Sequence, residues 1–204
     1  MQCIEDKNEI AEILNNWAVW NDSGNWDRLP SLWHADGWIT VTLYDGPAAK
    51  FIDINRDRFE KGTGARHVLG GISIDITRHR AISQSKVTIV QRGVVDGTPV
   101  DVTCLGRFYD FLEKREGRWG LVRRQPIYEL DRMDVVDPSV TIKLDPTLLN
   151  RFPVGYRHVA YVQTKLGFTV NDNLPELNGP IVSKLYAQGQ AWLDGATTAF
   201  AKTE

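Results

Sequence analysis

Cysteine is scarce: Cys3 and Cys104 are the only two, far apart and outside any CxxC spacing. That argues against a disulfide framework and suits a reduced, cytoplasmic setting. Long apolar runs are missing, and the first twelve residues, MQCIEDKNEIAE, carry charges where a secretory signal needs an apolar centre. Neither a membrane partner nor export is expected. Charge of one sign is also lacking, since 24 basic and 26 acidic residues are interspersed to a net charge of -2. Without a clustered basic stretch, nucleic acid is not an expected partner. The four histidines, at 34, 67, 79 and 158, are too scattered in sequence to suggest a preformed metal cluster. There is no phosphate loop, HExxH or GxSxG, and GTGARH places histidine where a dinucleotide loop needs its last glycine. The expected chemistry is therefore free of metal and cofactor, which leaves general acid–base catalysis.

What is present is an ordinary globular balance, 42% hydrophobic and 25% charged over 204 residues, enough for one domain with a substantial core. Asp6 and Glu9 have capping-box spacing, and Ile10, Ile13, Leu14, Trp17 and Trp20 recur at helical intervals up to Ser23-Gly24. Asn25 is placed to cap a second helix through WDRLPSLW. GWITVTLYDG, residues 37–46, alternates as a strand ended by Asp-Gly, and FIDINRDRFEK predicts a third helix. From 65 to about 131, β-branched runs separated by Asp96-Gly97, Glu116-Gly117 and other polar turns predict four long antiparallel strands. The fold class is α+β: a curved antiparallel sheet with N-terminal helices on one face, its curvature leaving a concave face. After Met133, an irregular stretch leads to two helical patterns with apolar faces at Val159, Val162, Leu166 and at Ile181, Leu185, Trp192. The organisation expected is a domain over 1–133 and an extension over 134–204 that serves as a lid or an intersubunit arm.

In GARHVLGG, His67 sits between a glycine-rich turn and a strand, where it either fills a wall or moves protons. Asp22 lies one turn below Ala18 on a small-residue stripe at the end of the first helix. Helix-end charge disfavours a carboxylate there unless it caps the turn or meets an imidazolium or arginine. Asn21 competes as the polar group nearer the core. Arg123 and Arg124 alternate along a strand, so one of them points opposite to the other. Arg124 is either a fixed cation on the concave face or half of a surface salt bridge.

Together EIAEILNNWAVWNDSGNWDRLPSLWHADG, ARHVLGGISI and GRFYDFLEKREGRWGLVRR resemble the SnoaL-like branch of the nuclear transport factor 2-like superfamily, over roughly the first 130 residues. The resemblance implies a cone-shaped α+β barrel with a deep apolar pocket and assembly as dimers or trimers. Its lyases, dehydratases and the dehydrochlorinase of hexachlorocyclohexane among them, use a His–Asp dyad. The matching positions here are Asp22 and His67, with Arg124 as the accompanying arginine. Pocket-wall positions fall on Trp38, Cys104, Phe108 and Tyr128. Many relatives carry asparagine where this chain has Gly71.

The extension resembles that of a subgroup tied to bacterial breakdown of aromatic compounds, including lyases that release formaldehyde from lignin-derived diarylpropanes. The implied function is a cofactor-independent lyase. It would expel water, formaldehyde or another small group from a hydrophobic, aromatic small molecule. The alternatives are an isomerase or hydrolase in the same pocket, or a non-catalytic ligand carrier or structural subunit.

Overall fold

In the computed structural model of the protein, which describes residues 2–197, an α-helix α1 spans Gln2–Ser23, β1 Trp33–Val41, β2 Tyr44–Pro47 and α2 Ala48–Glu60. The long strands follow: β3 Arg66–Thr77, β4 Arg80–Val95, β5 Thr98–Arg115 and β6 Arg118–Val135. A one-turn α3 (Pro146–Leu149) precedes α4 (Arg157–Lys165) and α5 (Pro180–Leu193). The six strands form one sheet in the order β2-β1-β6-β5-β4-β3, antiparallel throughout except for the β1–β6 pair.

The hairpins follow from their turn residues. Asp96-Gly97 and Glu116-Gly117 adopt φ of 48° and 83°, and of 51° and 81°. Two positive φ values in succession match the right-handed twist of the flanking strands. Gly70 and Gly71 lie opposite Lys86 alone, because Leu69 pairs with Val87 and Ile72 with Ser85. That extra residue is a bulge, which bends β3 just beyond His67.

Alternation along β5 divides the sheet between two covers. On one face, Phe108 and Leu112 join Ile10, Leu14 and Trp17 of α1 and Phe51 and Ile52 of α2. Further along the same face, Val100, Val102 and Cys104 pack against Tyr156, Val159 and Val162 from α4 and the turn before it. Tyr109 and Phe111 point the other way, onto Val182, Leu185 and Trp192 of α5. Backbone closeness is built into both contacts. A Cβ on Gly93 would lie 2.4 Å from Val162 Cγ1, and one on Gly189 1.8 Å from the Tyr109 hydroxyl.

Several local expectations are corrected. The predicted second helix is a single 3-10 turn, Leu29–Leu32, and Trp33 already begins β1. The strand over 37–46 is a hairpin, its turn falling at Thr42-Leu43 and its Asp-Gly lying inside β2. Asp6 and Glu9 do not cap α1, which starts earlier. Asp6 accepts from Trp119 Nε1 (2.9 Å) and Lys114 Nζ (2.7 Å), and Glu9 from the Trp119 amide (3.0 Å), tying α1 to the β5–β6 hairpin. Leu166 and Ile181, read as apolar-face residues, are exposed. The extension was read as far as residue 204, and its stretch 198–204 lies outside the described residues.

Candidate active site

α1 ends at Gly24, with φ of 75° and an amide of Asn25 reaching back to the Trp20 carbonyl at 2.8 Å. This glycine-dependent cap fixes the direction of the last turn, which carries Asn21 and Asp22. α2 closes in the same manner, with Gly62 at φ 70°, its amide on the Phe59 carbonyl (3.0 Å) and the Thr63 amide on the Arg58 carbonyl (2.9 Å). The chain then runs through Gly64-Ala65 into β3, bringing His67 beside Asp22.

One carboxylate grips His67 twice. Asp22 Oδ1 lies 2.8 Å from His67 Nδ1, and Oδ2 accepts a short hydrogen bond from the His67 amide. Asn21 Nδ2 donates to Asp22 Oδ1 at 2.9 Å, and Asn55 Nδ2 donates to Asn21 Oδ1 at 2.8 Å. Burial opposes ionisation of Asp22, but the hydrogen bond and charge of His67, with the Asn21 bond, outweigh it and hold the carboxyl below its ordinary range. An ionised carboxylate only accepts, so Nδ1 is the donor and carries the proton. Nε2, on the opposite edge of the ring, is left for the cavity. Trp17 meets the imidazole edge-on at 5.1 Å, and Phe108 lies at 5.9 Å, so the ring has little freedom to turn.

His67 borders a cavity of about 720 Å³, measured out to its open mouth. Apolar walls come from Trp26, Val41, Phe51, Ile89, Val102 and Val159. That lining suits a small, largely apolar organic ligand. In the sheet, His67, Ile89, Cys104 and Asp131 form one cross-strand row from β3 to β6.

Of the residues expected at the pocket, His67, Cys104 and Tyr128 line it, and Asp22 stands behind His67. Burial pushes the Cys104 thiol and the Tyr128 phenol well above their usual ranges, so neither ionises readily. Three others lie away from this lining. Trp38 lies outside the lining, because its indole N–H is held on Asp45 Oδ1 (2.8 Å) beside β2. Phe108 sits beneath His67, covered by Trp17 at 5.4 Å, and does not reach the cavity. Arg124 is on the expected face but is locked into a fully buried bidentate pair with Asp110, at 2.7 and 2.8 Å. Its guanidinium is sandwiched 4.2 Å from both the Trp17 and Phe108 rings. It therefore props the rings that hold His67 and stands apart from the cavity lining.

Other lining residues had no signal in the sequence: Asn55 and Arg58 from α2, Gln91 from β4 and Gln163 from α4. α4 thus contributes to the cavity wall through Val159 and Gln163, beyond the 1–133 boundary. Its first turn is held by Asp131, which accepts from the His158 and Val159 amides (2.6 and 2.8 Å) and meets His158 Nδ1 at 2.7 Å. Among the described residues no group of three His, Cys, Asp or Glu side chains could hold a metal ion, and no helix is long and apolar enough to cross a membrane.

The SnoaL-like domain family matches residues 2–125. A PEP2-like protein of Fusarium vanettenii is 32% identical over 199 residues, covering 92% of this chain and 85% of that protein. Pea pathogenicity protein 2 of the same species is 31% identical over the same shares. Among solved structures, a protein of Novosphingobium aromaticivorans assigned as a scytalone dehydratase aligns with a TM-score of 0.54 at 16% identity, over 69% of this chain and 97% of its own. A type 2 hexachlorocyclohexane dehydrochlorinase aligns with a TM-score of 0.55 at 12% identity, over 70% and 95%. At these identities the structural matches establish the fold alone.

Proposed function

The chain belongs to the SnoaL-like domain family, and from that premise we propose that it is a small-molecule lyase whose general base is His67 Nε2. The observation that carries the reading is the double grip of Asp22 on His67, which selects the tautomer whose bare nitrogen is Nε2. Nε2 takes a proton from substrate carbon. The C–H pair becomes a new double bond, and the group on the neighbouring carbon leaves with its bonding electrons. The imidazolium formed is stabilised by Asp22 and returns its proton to the departing oxygen or to solvent. Trp17 and Phe108 keep the ring in place, so little reorganisation accompanies proton transfer. The dehydratase and dehydrochlorinase names among the structural neighbours support an elimination of this kind. The same base would serve an isomerase if the proton returned to another carbon.

Substrate is expected to be an apolar, aromatic small molecule, matching the walls. The test is mass spectrometry of aromatic alcohols and ketones incubated with native protein and with His67→Gln. Elimination yields a product lighter by the leaving group plus one hydrogen, isomerisation conserves mass and hydrolysis adds water. Loss of roughly 10²–10⁴ in rate in His67→Gln supports the reading. Unchanged turnover removes His67 from the chemistry, and binding of the panel without conversion favours the carrier reading over the lyase.

A further inference from the structure

The cavity wall carries a distinct charge pattern. Arg58 and Arg66 line it together with His67, and no aspartate or glutamate does, Asp22 being screened behind the imidazole. Arg66 is exposed, and its guanidinium lies 5.6 Å over the Phe59 ring and donates to the Ala65 carbonyl at 3.1 Å. Arg58 is different: only 7% of its surface is exposed. Its Nη2 donates to the Thr63 carbonyl at 3.1 Å, while Nε is closed off from solvent with no hydrogen-bond partner among the described residues. No carboxylate of the described residues forms an ion pair with it. Besides the Thr63 carbonyl it meets the face of Phe168, 5.9 Å from the guanidinium, and neither contact neutralises a cation.

A buried guanidinium without a counter-charge is costly, and Arg124, the other arginine buried among the described residues, avoids that cost. Arg124 has Asp110 in full bidentate geometry. Arg58 has burial pulling its proton affinity down and no acidic neighbour restoring it. Its backbone position is secured independently of any ion pair. The Thr63 amide (2.9 Å) and hydroxyl (3.2 Å) both bond the Arg58 carbonyl, in the turn that also delivers His67. The arrangement is thus a fixed cation at the wall, one turn beyond Asn55, whose amide belongs to the Asp22 network.

We infer that Arg58 is the anchor for an anionic oxygen group, a carboxylate in the first instance, carried by the aromatic substrate of this cavity. The proposal rests on the reading of the cavity as the reaction site and adds the substrate's charge to it. Ligand carboxylate replaces the missing counter-ion, and the apolar remainder extends toward Phe51, Ile89 and Val102. A second polar feature limits the far end. Gln163 Nε2 donates to Gln91 Oε1 at 3.2 Å, leaving one unused donor and one unused acceptor on this buried amide pair. Gln91 lies two residues along β4 from Ile89, which pairs with His67, so the amide pair is about 7 Å further along the strand. An otherwise apolar ligand meets Arg58 near the dyad and the glutamine pair at the α4 end.

The test is isothermal titration calorimetry with matched pairs of probes, benzoate against benzamide and hydrocinnamate against hydrocinnamamide. Native protein is expected to bind the carboxylates at least about tenfold more tightly than the amides, in keeping with a charge-assisted contact to a buried guanidinium. Arg58→Gln should abolish that preference, whereas His67→Gln and Arg66→Gln retain it. Equal affinities in native protein, no carboxylate binding at millimolar concentration, or a preference that survives Arg58→Gln would each overturn the assignment. The native comparison decides the matter even if Arg58→Gln does not fold. Because binding is read without turnover, carboxylate selectivity alongside unchanged turnover in His67→Gln would keep the anion site and discard the dyad mechanism.

Discussion

Replacing Arg124 by methionine separates a structural role for this residue from a catalytic one. If Arg124 held a leaving anion, the variant would fold normally and lose turnover. The structure predicts a stability defect instead. Both members of the Arg124–Asp110 pair are fully buried, with hydrogen bonds of 2.7 and 2.8 Å, and methionine leaves Asp110 as an uncompensated carboxylate in the core. Breaking a buried pair from one side costs about 3–5 kcal/mol. For a chain of this size that is a fall of roughly 6–20 °C in Tm, at ~2–4 °C per kcal/mol. The loss of two stacking contacts, on Trp17 and Phe108, adds to it. Urea unfolding followed by circular dichroism measures the cost. Removing both charges, as Arg124→Met with Asp110→Leu, should recover much of it, because no buried charge then remains. A cost under about 1 kcal/mol for the single variant, or strict additivity in the double, would refute the assignment of Arg124 as a structural prop.

The other predictions concern pH, packing and thiol access. Asp22 has a folded pKa held below its ordinary value of 3.8, so its stabilising contribution is complete above that value and is lost as pH falls through the lowered folded pKa. Asp22→Asn should flatten this part of the acid-unfolding curve, and an unchanged curve would count against the His67 contact. Gly93→Ala places a Cβ 2.4 Å from Val162 Cγ1 and should cost roughly 1–3 kcal/mol by displacing α4, as read by chemical denaturation. In native protein at mildly alkaline pH, iodoacetamide should modify exposed Cys3 and spare Cys104, whose thiol is buried and raised in pKa, with peptide mass spectrometry locating the label.

The strands were legible because β-branched runs and turn residues agreed, and Asp96-Gly97 and Glu116-Gly117 occupy the positive-φ positions that such turns require. Even there a hairpin without glycine, turning at Arg78 with φ of 56°, carried a weaker signal. Asp6 and Glu9 show where local pattern misleads. Their spacing imitates a cap, whereas their partners, Trp119 and Lys114, lie over a hundred residues away. The candidate site divides in the same manner. Periodicity alone left Asp22 and His67 as separate polar residues, and their pairing was suggested by resemblance to a family. Strand alternation says only that Arg123 and Arg124 face opposite ways and the resemblance puts Phe108 on the pocket wall, but neither shows Trp17 packed against both Phe108 and Arg124. Arg58 was silent because an arginine near the end of an amphipathic helix normally reaches solvent. Its burial depends on the turn through Gly62 and Thr63 and on the opposite wall.

Base catalysis at this site requires one tautomer of His67, which nitrogen-15 NMR of histidine-labelled protein reports directly. At alkaline pH, where the imidazoles are neutral, His67 should show a protonated Nδ1 and a bare Nε2. His34 supplies an internal contrast. Its Nε2 meets the Glu113 carbonyl at 2.8 Å and its Nδ1 accepts from Arg118 at 3.2 Å, so it should carry the proton on Nε2. Asp22→Asn should shift the His67 resonances away from the Nδ1-protonated form, while those of His34 stay in place. A His67 protonated on Nε2, or a tautomer indifferent to Asp22→Asn, would contradict the claim that this carboxylate prepares His67 as a base.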